Sequence, residues 1–440
     1  MVRQYNKRNR AILENGIRFL YENSGIVERI DRTTLYNDEP KLFSYTCYYR
    51  DKFKKTTTED SVASGVAFNK TKALLKLIGE TVERYALTIN NNKKLLHGSF
   101  AHLKKTHRSI LNPVDFIPFS PNQIVSHNIS VNELESSKIH WVLGRSLITN
   151  NDILIPAQLV FVPYIYQEIE PLIMWPISTG AAAGKSLEDA LYRGICEVIE
   201  RDSFMIHYLN NIHTPQIDIS SITNKKTKEI LESLHRYRID LFLVNLTTDI
   251  KIPSIGAILI DKTGLGPAVC VGLKAGFDVH DVVIGAIEEA LMVRTWIRDE
   301  FIYLKPYFKR QKIIETIIDR AHLWFPLKAI NYLDFWLCNT NTTSIKKMPT
   351  IKKGSFLQRA VSLLKEKNID IFYVNLTDKT LKKSGLTIVK VIIPELQPLY
   401  LNETYKYFGN KRLYQTPVRM GLIQKPQKES ELNKIPHPFL

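Results

Sequence analysis

Residues 178–203 read STGAAAGKSLEDALYRGICEVIERDS. The small residues of this stretch end in Gly184-Lys185-Ser186, a turn that opens a helix expected over 186–209. Ser186 is the expected N-cap, and Asp189, three residues on, completes a capping box. Small residues entering a helix N-terminus suit close backbone approach to a phosphate or carboxylate. They also suit a simple tight turn. The Gly180–Gly184 spacing is one residue short of a Walker A loop, so this is no P-loop. Inside the helix, Glu197, Glu200 and Arg201 form a thin polar insert among Cys196, Val198, Ile199, Phe204 and Met205.

The insert occurs twice. A helix over 70–90, marked by the apolar stripe Ala73, Leu74, Leu77, Ile78, Val82 and Tyr85, carries Glu80 and Glu83 followed by Arg84. Carboxylates three residues apart share a helix face. Magnesium is held by a few carboxylates together with substrate phosphates. Two such helices point to Glu80, Glu83, Glu197 and Glu200 as magnesium ligands against a nucleotide triphosphate. Arg84 and Arg201 would answer the phosphate oxygens, as a guanidinium fork does well. Two plainer readings stand beside this one: a solvated face with local ion pairs, and a buried structural ion-pair network. A third helix over 280–301 adds Glu288, Glu289, Arg294 and Arg298. Its adjacent glutamates cannot share a face, so one is expected toward the site and the other toward solvent. Arg294 is a further triphosphate candidate.

With 440 residues, 44% of them hydrophobic and 10% aromatic, the chain can bury a full core in one large or two ordinary domains. The expected division is an N-terminal extension over 1–60 and a catalytic domain over 61–440. Charged residues at 24% between recurring apolar runs exclude global disorder. No run of 18 apolar residues marks a membrane span, and the basic N-terminus has no apolar stretch behind it, so a soluble cytoplasmic protein is expected. Cys47, Cys196, Cys270 and Cys338 are scattered without zinc spacing and read as small core residues of a reducing compartment. The net charge of +16 suits a nucleotide or an acidic peptide as well as a nucleic acid. Its lysines are dispersed at 52–55, 225–226, 346–347 and 352–353, with no aromatic-interleaved stripe, which disfavours a nucleic-acid binder.

The second half repeats itself: 238–247 reads RIDLFLVNLT and 368–377 reads NIDIFYVNLT. Each copy follows an amphipathic helix (226–237 and 355–367) and precedes a second strand (254–261 and 386–394). Broken strands are expected over 152–163, and a short helix over 11–23. The expected class is a mixed α+β fold, with mixed sheets covered by helices.

The block 178–203 closely resembles the signature of YcaO-domain proteins, in which a Ser-Gly turn leads into a helix carrying E-x-x-E-R-D. Residues 79–85, GETVERY, look like the family's first carboxylate helix, and 286–298 resembles its third. The resemblance implies the YcaO fold and a site for ATP and Mg2+ unrelated to kinases. It carries Glu80, Glu83, Glu197 and Glu200 as metal ligands, and Arg84, Ser178, Lys185, Asp189, Arg201, Glu289 and Arg294 as nucleotide contacts. Asp189 stands where the family usually has glutamate, and Lys185 where asparagine is common. The implied chemistry is phosphorylation of a backbone amide oxygen after a nucleophile has added to the carbonyl. A Cys, Ser or Thr side chain then gives a thiazoline or oxazoline, and external sulfide gives a thioamide. The proline-rich end, 435–440 IPHPFL, is similar to that of streptolysin-type azoline-forming cyclodehydratases. This likeness assigns Pro436, Pro438 and Leu440 a role in assisting catalysis. The implied partners are a precursor peptide and a separate E1-like leader-binding protein. A flavin dehydrogenase in the same complex and a homodimer are also compatible with the resemblance. A non-catalytic peptide scaffold is the alternative outside the enzyme class.

Overall fold

The computed structural model describes residues 2–22, 26–49, 62–88, 95–106, 109–166, 170–304, 314–351 and 354–440; the lysines at 52–55 and 352–353 lie outside them. In chain order the elements begin with α1 (Val2–Glu22), β1 (Val27–Arg32), β2 (Phe43–Tyr49), β3 (Val62–Ala67) and α2 (Lys70–Thr88). They continue with β4 (Leu96–Ser99), α3 (Phe100–Thr106), α4 (Pro121–Ser126), β5 (Lys138–Ser146), β6 (Asp152–Pro156), β7 (Ala181–Gly184) and α5 (Leu187–Leu209). Next come β8 (Gln216–Ile217), α6 (Lys225–Arg236), β9 (Ile239–Asn245), β10 (Ser254–Asp261), β11 (Val269–Ala275) and α7 (Val279–Leu304). The last are α8 (Ile317–Trp324), α9 (Asp334–Leu337), β12 (Thr342–Thr343), α10 (Phe356–Lys365), β13 (Phe372–Asn375), β14 (Thr387–Ile392) and α11 (Lys411–Arg419). This is the mixed α+β class expected. The N-terminal helix is longer than its sequence pattern suggested, and β1 and β2 had no expectation at all. Short strands such as VERIDR, mostly exposed, carry little period-2 signal.

The chain divides into two compact units, the first being Met1–Thr34, Leu42–Val198 and Leu357–Glu395. It holds an antiparallel sheet β1-β2-β3 and a larger sheet β4-β5-β13-β14-β7, with β6 paired to β5. Helix α2 lies against β2, β3, β7 and β14. Its stripe, including Ile78, Val82 and Tyr85, joins a core with Trp141, Ala181, Val374, Ile388 and Ile392. The periodicity that made α2 legible is therefore the face it buries.

The second unit, Leu35–Lys41, Ile199–Phe356 and Leu396–Leu440, is built on the sheet β11-β10-β9-β8-β12. Strand β10 is buried at every position, because an uninterrupted run such as SIGAILI can only be covered on both faces. Helix α7 packs on β10 and β11, and α6 on β9.

Both copies of the repeat are realised, one in each unit. Each helix unwinds through a left-handed residue, Arg238 at φ 56° and Asn368 at φ 55°. Each strand then ends in the same turn. The side-chain oxygens of Asn245 and Asn375 accept from Thr247 N at 3.1 Å and Thr377 N at 3.0 Å. The two threonine hydroxyls in turn accept from Ser254 N at 3.1 Å and Ile388 N at 2.8 Å, steering the chain into β10 and β14. The repeated N-L-T letters are thus a turn device.

Cys47, Cys196 and Cys270 are buried as expected, whereas Cys338 is exposed, at the residue that caps the four-residue α9. Among the described residues no helix is long and apolar enough to cross a membrane.

Candidate functional site

The predicted ligands fall into two clusters, one in each unit. In the first unit, α2 presents Glu80, Glu83 and Arg84, and the middle of α5 brings Glu197 within reach of Glu83. Arg84 Nη2 donates to Glu80 Oε1 at 3.3 Å, with both side chains still partly open to solvent. Burial pushes the Glu83 carboxyl well above the usual range, and Glu197 and Glu80 push it further. Arg84 and the Ala183 N–H pull the other way without winning. Glu80 is likewise raised by burial, against Arg84, the Ser64 N–H and Lys76. Three carboxylates thus repel one another here, and burial outweighs the pull of the nearby cations.

Sequence reasoning missed one member of this cluster. Lys390 on β14 is 2% exposed, and its Nζ donates to the carbonyls of Ile177 at 2.5 Å and Thr179 at 2.7 Å. Burial lowers its pKa to about 8, while Glu197 and Glu83 hold it up. A signal was present: a lysine alternating with Ile388 and Ile392 on a buried strand is out of place.

The turn before α5 is shaped by backbone contacts. Gly180 has φ 87°, and a Cβ there would lie 2.3 Å from the Val391 carbonyl oxygen; that carbonyl's own residue donates its N–H to Gly180 O at 2.7 Å. Ser178 lies in this turn, its carbonyl accepting from Ala181 N at 2.8 Å. Asp189 N donates to Ser186 Oγ at 3.2 Å, while the Asp189 carboxylate accepts from Lys185 N at 2.9 Å and Arg193 Nε at 3.0 Å. The capping box therefore closes on Lys185, one residue earlier than expected, and both candidate nucleotide contacts take part in it.

In the second unit, Glu200 Oε2 accepts from Ala275 N at 2.9 Å, and its Oε1 meets Arg201 Nη1 at 2.9 Å. On α7, Glu289 Oε2 accepts from Leu273 N at 2.5 Å. Burial pushes the Glu289 carboxyl up to about 7, Arg201 opposing and Glu200 adding to the rise. Glu288 does not face solvent as expected; it is 1% exposed, because α7 is covered on nearly all sides. Arg294 is also buried, its Nε donating to Glu39 at 2.9 Å and its Nη2 meeting Asp261 at 2.8 Å. The aspartate of E-R-D, Asp202, turns into the core, where it accepts from Gln397 N at 2.8 Å and from Arg412 Nε at 3.0 Å and Nη2 at 2.8 Å.

The C-terminal segment packs inward. Tyr208 Oη donates to the carbonyls of Ile435 at 3.1 Å and Pro436 at 3.2 Å, and Trp324 Nε1 reaches Pro436 O at 3.1 Å. Arg320 Nη1 donates to His437 O at 2.8 Å, and His437 Nε2 lies 2.7 Å from Tyr400 O. Pro438 is buried and Leu440 partly so. Between them, the Phe439 ring lies under the Arg201 guanidinium, 4.0 Å from its carbon. The segment is thus tied to the arginine that pairs with Glu200.

Among the described residues, no three His, Cys, Asp or Glu side chains stand close enough to hold a metal ion on their own. Magnesium keeps several waters and binds through one or two carboxylates plus phosphates. The raised Glu83 carboxyl, with Glu80 and Glu197 near it, suits an incoming cation. When bound, Mg2+ and ATP supply a transferable phosphoryl group and the charge that screens it.

A curated relative from Methanothermobacter thermautotrophicus, described as an uncharacterized protein, is 26% identical over 267 residues, 59% of this chain and 66% of the relative. The structure resembles a heterocyclase solved in complex with substrate and cofactor, at a TM-score of 0.80 and 20% identity, covering 97% of this chain and 57% of the other. It also resembles YcaO from Methanopyrus kandleri bound with AMPPCP and Mg2+, at a TM-score of 0.62 and 17% identity, covering 88% and 91%. The chain therefore spans under two thirds of the heterocyclase and about two thirds of the curated relative; the structural likenesses show the fold. A family model described as YcaO cyclodehydratase, ATP- and Mg2+-binding, matches residues 64–397, and the chain accordingly belongs to the YcaO family, whose cofactors are ATP and Mg2+.

Proposed function

We propose that the chain is an azoline-forming cyclodehydratase acting on Cys, Ser or Thr in a ribosomally made precursor peptide, with a separate E1-like protein delivering the peptide. Glu80, Glu83 and Glu197 in the first unit and Glu200 in the second are the proposed metal ligands, with Arg84 and Arg201 as the proposed phosphate contacts. The side-chain sulfur or oxygen gives up its proton and adds to the preceding carbonyl carbon, and the resulting oxyanion would take the terminal phosphoryl group of ATP, leaving ADP. The amide proton and phosphate then depart as the C=N bond forms, so the peptide loses one water per ring. The observation that carries the azoline branch is the inward packing of the proline-rich segment 435–440, with Phe439 on Arg201.

The decisive experiment incubates the protein with ATP, Mg2+, the E1-like partner and a precursor peptide, then reads the peptide mass. Loss of one water per modified residue, with equal ADP release, is the expected result. A mass gain matching oxygen-to-sulfur exchange in the presence of sulfide would replace this reading with thioamide formation. ATP-independent peptide binding without any mass change would leave a scaffold.

The terminal contact has its own readout. Phe439→Ala removes a cation–π contact worth about 1–2 kcal/mol in a desolvated setting. It is expected to lower kcat about tenfold with the fold intact by circular dichroism, and Phe439→Tyr should restore most of it. Equal rates in all three proteins would detach the tail from the site.

A further inference from the structure

Lys390 is the feature of the first unit that the function above leaves unexplained. It alternates along β14 with Ile388 and Ile392, both in the core, and its register partner on β7 is Ala181. A buried ammonium is costly unless it is paired, and a methionine would fill the same volume without that cost. Two contacts define its place. The carbonyls of Ile177 and Thr179 flank Ser178, so one ammonium holds that turn from both sides. The acidic groups whose charge reaches it are Glu197 and Glu83. In the same cluster Glu80 adds a third carboxylate, and Arg84 and Lys76 add two further cations, so three cations face three carboxylates. A divalent ion that enters alone must therefore compete with a cation built into the sheet. One that enters with a nucleotide brings phosphate oxygens of its own.

We propose that Lys390 is a positioning residue that pins the Ser178 turn and serves as the internal counter-cation of the Glu83–Glu197 pair, so that Mg2+ is held only together with the nucleotide. The inference rests on the reading of this cluster as the metal–nucleotide site. It concerns the order and tightness of cation binding, which that reading leaves open.

The test is calorimetric titration of the full-length protein with MgCl2, without nucleotide and then with ATP. For the wild type, Mg2+ alone should give weak, unsaturated heats, and ATP should make binding saturable. Lys390→Met removes a positive charge beside a doubly charged ion, so Mg2+ alone should bind at least about tenfold more tightly. Lys390→Gln, which can still donate to a carbonyl, should show the same gain while keeping the turn. An anchor with no electrostatic role would lower the melting temperature of Lys390→Met and leave the Mg2+ affinity of both variants unchanged, which overturns the proposal. Tight saturation of the wild type by Mg2+ alone overturns it as well, whether or not the variants fold. A wild type that binds no Mg2+–ATP at all fails differently, because it removes the site reading and the Lys390 role with it.

Discussion

Glutamine at position 83 is expected to make the ligand-free protein more stable and, at the same time, unable to use ATP. Burial, Glu197 and Glu80 all hold the Glu83 carboxyl above its ordinary range. Its ionised form therefore costs the folded state stability at every pH above the unfolded carboxylate value, and the neutral amide removes that cost. Glutamine still accepts from the Ala183 N–H. A gain of about 1 kcal/mol is the size usually seen when a strained functional group is neutralised. Loss of an anionic ligand should cut turnover by about a hundredfold or more. Thermal melts with and without Mg2+–ATP read both effects: a higher melting temperature alone, and no further rise with ligand. The rival reading of the carboxylate helices as structural ion pairs predicts the opposite sign. There, Glu83→Gln would leave Arg84 under-compensated and lower the melting temperature. This one measurement separates the two readings that sequence alone left open.

The largest loss of stability is expected at Arg412. Its guanidinium grips Asp202 through two bonds and reaches Asp249 Oδ1 at 2.9 Å, with Asp202 fully buried and Asp249 8% exposed. Arg412→Met leaves Asp202 buried without its cation and Asp249 with Arg419 at 4.0 Å, and breaking a buried pair from one side costs about 3–5 kcal/mol. In a unit of this size that is a fall of about 10 °C in melting temperature. Adding Asp202→Asn to Arg412→Met should recover part of the loss, because the stranded charge is gone. Urea midpoints for the two single variants and the double variant measure it. A near-neutral Arg412→Met would mean that the Asp202 contact carries little of the unit's stability.

This pair also shows how one motif divides between chemistry and architecture. In the run Glu200-Arg201-Asp202, successive residues of α5 project in different directions around the helix. Glu200 and Arg201 join the carboxylate cluster of the second unit, while Asp202 turns into the core and ties down the chain around Gln397 and Arg412. Its position in the signature gave no hint of that difference, because both roles need a carboxylate beside an arginine.

The amino-acid sequence determined the elements with a strong local signal. The apolar stripe of α2, the capped start of α5, and both helix–strand copies with their Asn–Thr turns are set by contacts within a few residues, so they can be read along the chain. The recurrence of two glutamates and an arginine on two helices, and with it the family, was legible for the same reason. Tertiary structure decided the rest. Only the pairing of β14 with β7 buries Lys390 beneath the Ser178 turn, and only the packing of α7 hides Glu288 and commits Arg294 to Glu39 and Asp261. Only the folded C-terminus brings Phe439 onto Arg201. In each case the side chain's meaning lies in partners tens to hundreds of residues away, and its charge or ring is the same letter whether solvent or the core receives it.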